Sequence, residues 1–277
     1  MKTLLVMLLL CFGLNAEQHL EATGVVEIEK LCEKFPCIFM EAKRYSDNTV
    51  HADAVIKSLR LSTKEAGLRG FKDEFLSRIV AHEDNKTVFD LIGSEYLSRS
   101  PMLEFKYKSF GAPVLTIETI DNDGNKDNVT QTITEASSPI PLIERKSRGK
   151  EGKTCRVYIP SINKTFGDIE LIETDKIQLT LPDVAYQSRT LPVNVSSDIK
   201  AKSVTLFAIE ENAQMKFISQ WQINEYSIID YSVEIKLNTS VVDGSSSSIL
   251  MIIVQGEDGK FYTTEKQVYL ATGGYCS

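Results

Sequence analysis

The sequence predicts an all-β protein, with two immunoglobulin-like β-sandwich domains in one chain. Three observations lead there. From about Phe39 onward apolar residues recur with period two, as in Leu103-Glu104-Phe105-Lys106-Tyr107 and in Tyr231, Val233, Ile235 and Leu237. Clusters of Asp, Asn and Gly punctuate these short runs at intervals suited to tight turns. Between Glu135 and Asn163 the pattern breaks on Pro139, Pro141, Gly149, Gly152 and Pro160, leaving two halves, each of sandwich size.

Residues 1–16 read as a secretory signal: Lys2, then the apolar run Leu4 to Leu10, then Leu14-Asn15-Ala16 before Glu17. That run is too short to span a bilayer. No later run is long enough either, so a periplasmic protein is expected, with no membrane insertion after signal cleavage. The formal net charge of -7 argues against nucleic acid as a partner.

Of five cysteines, Cys11 leaves with the signal and Cys32, Cys37, Cys155 and Cys276 remain. Residues 17–38 form an N-terminal extension. In it Cys32 and Cys37 flank Glu33-Lys34-Phe35-Pro36 and are expected to form a local disulfide in an oxidising compartment. The spacing is not that of a Cys-x-x-Cys redox pair. No Cys/His spacing suits a metal, and His19, His51 and His82 stand singly in the sequence, so neither metal nor cofactor is expected.

The first sandwich spans 39–135. Phe75 to Glu83 and Thr87 to Ile92 alternate around Asp84-Asn85-Lys86 and predict a hairpin. Val114 to Ile120 and Asn128 to Ile133 flank Asp121-Asn122-Asp123-Gly124-Asn125, a turn that lacks the remaining ligands of a calcium loop. Ala54 to Ala66 mixes periods and is left open between helix and strand.

Residues 136–163, with Arg145, Lys146, Arg148, Lys150, Lys153 and Arg156, read as a basic, solvated linker. The second sandwich, 164–272, carries predicted strands at 177–181, 191–195, 204–208, 217–223, 231–237, 249–254 and 261–270. Trp221, the single tryptophan, is expected in the core. Asp258-Gly259 predicts a tight turn joining the last two strands.

The tail, 273–277, places Cys276 behind Gly273, Gly274 and Tyr275. Two glycines leave the backbone free, and chain ends are mobile unless tied down, so a swinging arm bearing a thiol is one reading. A structural disulfide, within or between chains, is the other. No His, Asp or Glu lies near Cys276 in sequence to activate it as an enzyme nucleophile.

The first half resembles SoxZ, a subunit of the bacterial thiosulfate-oxidation carrier. The similarity lies in Ile56-Lys57-Ser58-Leu59 to Glu65-Ala66-Gly67-Leu68-Arg69, the hairpin Phe75 to Leu91, Leu97 to Phe105, and Asp121-Asn122-Asp123-Gly124 to Ile133. The second half resembles SoxY, the covalent carrier subunit. It does so in Thr165-Phe166-Gly167, Lys176 to Leu181, Pro182-Asp183-Val184-Ala185, Leu191 to Val195, Gly259 to Thr263, and Lys266 to Leu270 with the glycine tail.

The resemblance implies a non-enzymatic carrier that holds thiosulfate-derived sulfur covalently on Cys276, presented by Gly273, Gly274 and Tyr275. It also implies three partners: a haem-containing thiosulfate-conjugating enzyme, a sulfate-releasing hydrolase and a sulfane-oxidising enzyme. The alternative is a non-carrying binding module of the same fold with Cys276 in a disulfide. The tail departs from the family pattern, because Tyr275 separates the glycine pair from Cys276 and only Ser277 follows. The adjacent terminal carboxylate is expected to disfavour the thiolate.

Overall fold

The computed structural model describes residues 37–57, 75–98, 100–136, 151–156, 160–185, 190–209, 214–237 and 245–271. In the N-terminal half these form β1 (Cys37–Arg44), β2 (Thr49–Lys57), β3 (Leu76–Glu83), β4 (Lys86–Gly93), β5 (Met102–Lys108), β6 (Val114–Asp121), β7 (Lys126–Thr132) and β8 (Thr134–Glu135). The C-terminal half begins with β9 (Glu151–Arg156), a short helix α1 (Pro160–Phe166), β10 (Glu170–Thr174), β11 (Ile177–Thr180) and β12 (Val184–Ala185). It continues with β13 (Leu191–Ser197), β14 (Ala201–Ile209), β15 (Met215–Gln222), β16 (Ser227–Ile235), β17 (Ser245–Gly256) and β18 (Phe261–Ala271).

The strands make two sheets packed face to face, in the orders β11-β13-β16-β5-β2-β1-β8 and β7-β6-β3-β4-β15-β14-β17-β18-β10-β9, with β12 also pairing β18. Each sheet draws strands from both halves. The sequence expectation of two sandwiches therefore holds for the strands, while the halves are joined more closely than two linked domains. They meet edge to edge in both layers, β5 against β16 and β4 against β15, both antiparallel. Each half thus covers two edges that the other would leave open to stray pairing.

The two halves repeat one connectivity. In the first, β1 and β2 lie in one sheet, β3 and β4 in the other, then β5 returns to the first and β6 and β7 to the second. The second half gives the same sequence of moves with β11 and β13, β14 and β15, β16, then β17 and β18, and the same neighbours pair. This three-on-four arrangement is immunoglobulin-like. Equivalent strands meet at the seam, so the halves are related as the subunits of an isologous dimer are.

One core runs through both halves. At its centre Phe89 on β4 stacks on Phe105 on β5, with ring centroids 4.3 Å apart, and lies 5.1 Å from Trp221 on β15. Trp221 in turn meets Tyr231 on β16 edge-on at 4.8 Å. All four rings are buried, and rings in such arrangements add to what burial alone contributes. Backbone ties flank this cluster. Ser94 Oγ donates to the carbonyls of Phe217 and Ile218 at 2.8 and 2.9 Å, and Asn224 Nδ2 donates to the Thr87 carbonyl at 3.0 Å. Gly93 pairs with Ser219 on the seam, where a Cβ would fall 2.5 Å from the Leu76 carbonyl oxygen.

Within the stretch read from the sequence as linker, two elements stand. Glu151–Arg156 is a strand, antiparallel to β10, and Pro160 opens helix α1. The prolines signalled a break, but a proline in the first helical turn costs nothing, because its missing N–H would have no partner there. Ile162 of α1 and Leu171 of β10 join Phe207, Met215, Met251 and Ile253 in a second, smaller core. Ala54 to Lys57, left open from sequence, belongs to β2, and 58–74 lie outside the described residues.

Candidate functional site

The tail follows β18, so the site is built on that strand. β18 pairs with β17 along its length, from Gln255↔Phe261 to Ser245↔Ala271. The predicted turn is present: Gly259 has φ 80°, Asp258 Oδ1 accepts from Lys260 N at 3.1 Å, and Tyr262 donates to Asp258 Oδ2 at 2.7 Å. That hydrogen bond from Tyr262, with the Lys260 amide, lowers the Asp258 pKa.

The other edge of β18 is held by two parallel neighbours: β10 along Phe261 to Thr263, and β12 beside Tyr269 and Leu270. Tyr269 N donates to the Asp183 carbonyl at 2.9 Å. Lys266 Nζ donates to the Leu181 carbonyl at 2.9 Å and pairs with Asp183 Oδ1 at 3.0 Å, which fixes the short ledge of β12 to the strand. The strand is therefore paired with β17 up to Ala271 and held on its other edge at its start and again at Tyr269 and Leu270. Tyr269 and Val184, direct register partners there, are 52% and 41% exposed, an apolar step beside the root of the tail.

Gly273, Gly274, Tyr275, Cys276 and Cys32 lie outside the described residues. Cys37 is disulfide-bonded. Cys155 on β9 is the register partner of Leu171, which is itself the partner of Phe261. It thus sits level with the far end of β18. From Phe261 to Ala271 the strand rises about 33 Å, at about 3.3 Å per residue. Cys276 follows Ala271 by five residues, a reach of at most about 18 Å.

His51, solitary in the sequence, is not solitary in space. Its Nε2 lies 2.6 Å from Glu104 Oε1 and 3.5 Å from Asp53 Oδ1 on the outward face of the seven-stranded sheet. Burial works against its charge, yet Glu104 and Asp53 outweigh that and raise its pKa. The alternation of β2 and of β5 signalled that these side chains share a face. The pairing of β2 with β5, which brings them together, is a long-range contact that no local pattern reports.

Residues 162–276 match the family of sulfur oxidation protein SoxY. The SoxY match begins inside α1, takes in β10 to β18 and runs through to Cys276. Among solved structures, the sulfur carrier protein SoxY from Chlorobium limicola f thiosulfatophilum is similar at 20% identity and TM-score 0.31, over 40% of this chain and 93% of that one. The superoxide reductase (neelaredoxin) from Ignicoccus hospitalis is similar at 14% identity and TM-score 0.30, over 34% of this chain and 80% of that one. Latent PorU from Porphyromonas gingivalis is similar at 9% identity and TM-score 0.27, over 85% of this chain and 20% of that one. No curated protein matches the sequence significantly.

Proposed function

We propose that this chain is a periplasmic sulfur carrier that bears thiosulfate-derived intermediates on Cys276, its N-terminal half serving as a fused SoxZ-like companion to the SoxY half. The observation that carries this reading is the SoxY match extending through Cys276, on a tail that leaves a strand anchored on both edges. A rigid root and a short glycine-bearing arm suit a thiol that must enter other proteins' pockets while the body stays outside. The arm's reach of about 18 Å sets the depth of channel it can serve.

The companion role draws support from the repeated connectivity and the continuous sheets. Fusion gives each half the other at high effective concentration. The carriage itself balances as follows. The Cys276 thiolate and thiosulfate form a sulfur–sulfur bond, and the two electrons released pass to the haem-containing conjugating enzyme. Water then attacks the terminal sulfonate sulfur in the hydrolase, releasing sulfate and two protons and leaving a persulfide on Cys276. The outer sulfur is the substrate of the sulfane-oxidising enzyme. The carrier contributes attachment and presentation, and its partners contribute catalysis.

In cells that consume thiosulfate, replacing the chain by its Cys276→Ser variant is expected to abolish consumption while leaving the amount and the melting temperature of the protein unchanged. Unimpaired consumption by that variant would refute the carrier role.

A further inference from the structure

The outward face of the seven-stranded sheet carries charge in rows. Glu41 on β1 is the register partner of Asp53 on β2, and Asp53 is the register partner of Glu104 on β5. The neighbouring row, set the same way, is Lys43, His51 and Lys106. Carboxylates placed directly opposite one another repel, so a row of three needs a cation close by. Lys106 is already engaged, its Nζ donating to Asp230 Oδ2 at 2.9 Å.

Three potential donor atoms converge at this point. The ligand atoms of His51, Asp53 and Glu104 all lie within 4.8 Å of one another. Nε2 is sealed from solvent, and its polar neighbours are these two carboxylates, Glu104 Oε1 at 2.6 Å and Asp53 Oδ1 at 3.5 Å. Nitrogen and oxygen ligands sit roughly 2.0–2.2 Å from zinc, which sets them about 3.4 Å from each other on a tetrahedron. The 3.5 Å separation from Nε2 to Asp53 matches that value, and the 2.6 Å contact with Glu104 is that of an ion pair, which would open by about 0.8 Å to admit the ion. Beside them a hollow of about 360 Å³, lined in part by Glu41, Tyr45, His51, Asp53 and Gln131, leaves room for a water or a further ligand on the ion.

We propose that His51, Asp53 and Glu104 form a binding site for a divalent transition-metal ion of the zinc type. One imidazole and two carboxylates are a donor set for such ions, and no thiol takes part. The site lies in the N-terminal half, apart from the root of the tail, and its occupancy would leave Cys276 free. Its charge fits as well, because a dication adds to what the neighbouring Lys106 already does to offset the carboxylates of Asp53 and Glu104.

The test is calorimetric titration of zinc chloride into the tag-free, full mature chain with its thiols blocked by iodoacetamide. The expected result is saturable binding of one ion per chain, weakened by about 10-fold or more in His51→Ala and unchanged in His82→Ala. Glu104→Gln, which keeps the side chain's size, is expected to weaken binding as well, and covers the case in which His51→Ala folds poorly. In nuclear magnetic resonance, cobalt(II) would shift the His51 imidazole signals and spare those of His82. Absence of saturable binding, or binding that persists in both variants, would overturn the site. Neither result depends on whether Cys276 carries sulfur.

Discussion

The two halves share one connectivity and differ in what is added to it. In the N-terminal half the last strand of the shared connectivity, β7, is an edge: it pairs with β6 alone among the described residues, and its side chains are mostly exposed. In the C-terminal half the equivalent strand, β18, is buttressed by β10 and β12, with β9 and α1 behind them. The N-terminal half instead spends its polar chemistry inside. Arg44 donates to buried Glu83 at 2.9 Å, to Glu135 at 2.8 Å and to Ser109 at 2.9 Å, and also contacts the Ala112 carbonyl. One repeat is locked from within by an ion network, and the other is braced from outside along the strand that leads to Cys276. On the proposed function, that bracing gives the arm a fixed base.

The strongest way to break the comparison is to remove what the halves hold in common. Trp221→Ala is expected to cost about 3–5 kcal/mol, the range for deleting a buried large aromatic, and to destabilise both halves in one unfolding transition. Two separate transitions in a calorimetric scan would show that the shared core does not couple them.

A slightly smaller effect is expected from Arg44→Met, which strands Glu83 at 0% exposure. The loss should be about 3 kcal/mol, as for breaking one partner of a buried pair, and should fall short of that in Arg44→Met with Glu83→Gln. Urea denaturation of both variants measures it. The Glu83 carboxylate also adds to burial in holding the Tyr107 phenol far above its ordinary pKa.

Lys266→Ala sharpens the claim that β12 braces the root. Losing its hydrogen bond to Leu181 should cost about 1 kcal/mol and speed hydrogen exchange at the Tyr269 amide, which bonds to Asp183. Unchanged exchange there would leave the ledge without a role. The smallest effect belongs to Lys86→Ala. Lys86 Nζ sits 4.4 Å from the Phe110 ring and 5.4 Å from the Tyr226 ring across the seam, worth about 0.5–1 kcal/mol at an exposed site and readable from the urea midpoint.

Much of this was legible in the sequence, for a physical reason. A half-buried strand writes period two into its residues, so the runs Thr87 to Ile92 and Tyr231 to Leu237 announce β4 and most of β16, although β16 begins earlier, at Ser227, and ends at Ile235; the turn at Asp258-Gly259 is as plain. The pairing of β4 with β15 and of β5 with β16 leaves no local trace, so Trp221 was legible as core while Phe89 as its partner was not. The repeat was hidden too, because the two halves keep a connectivity without keeping side chains: Phe89 on β4 answers to Trp221 on β15. Pro160 misled because the same residue that breaks a strand opens a helix. For the tail, the sequence offers only a residue order, Gly273-Gly274-Tyr275-Cys276, and the structure adds only the strand that leads to it.

The central claim, that Cys276 bears sulfur in transit, is tested most directly by mass spectrometry of the C-terminal peptide from protein isolated without reductant from thiosulfate-consuming cells. The account predicts Cys276 carrying thiosulfonate and persulfide adducts that a thiol reductant removes. Cys276 found unmodified, or only in a stable disulfide to another protein chain, would contradict it.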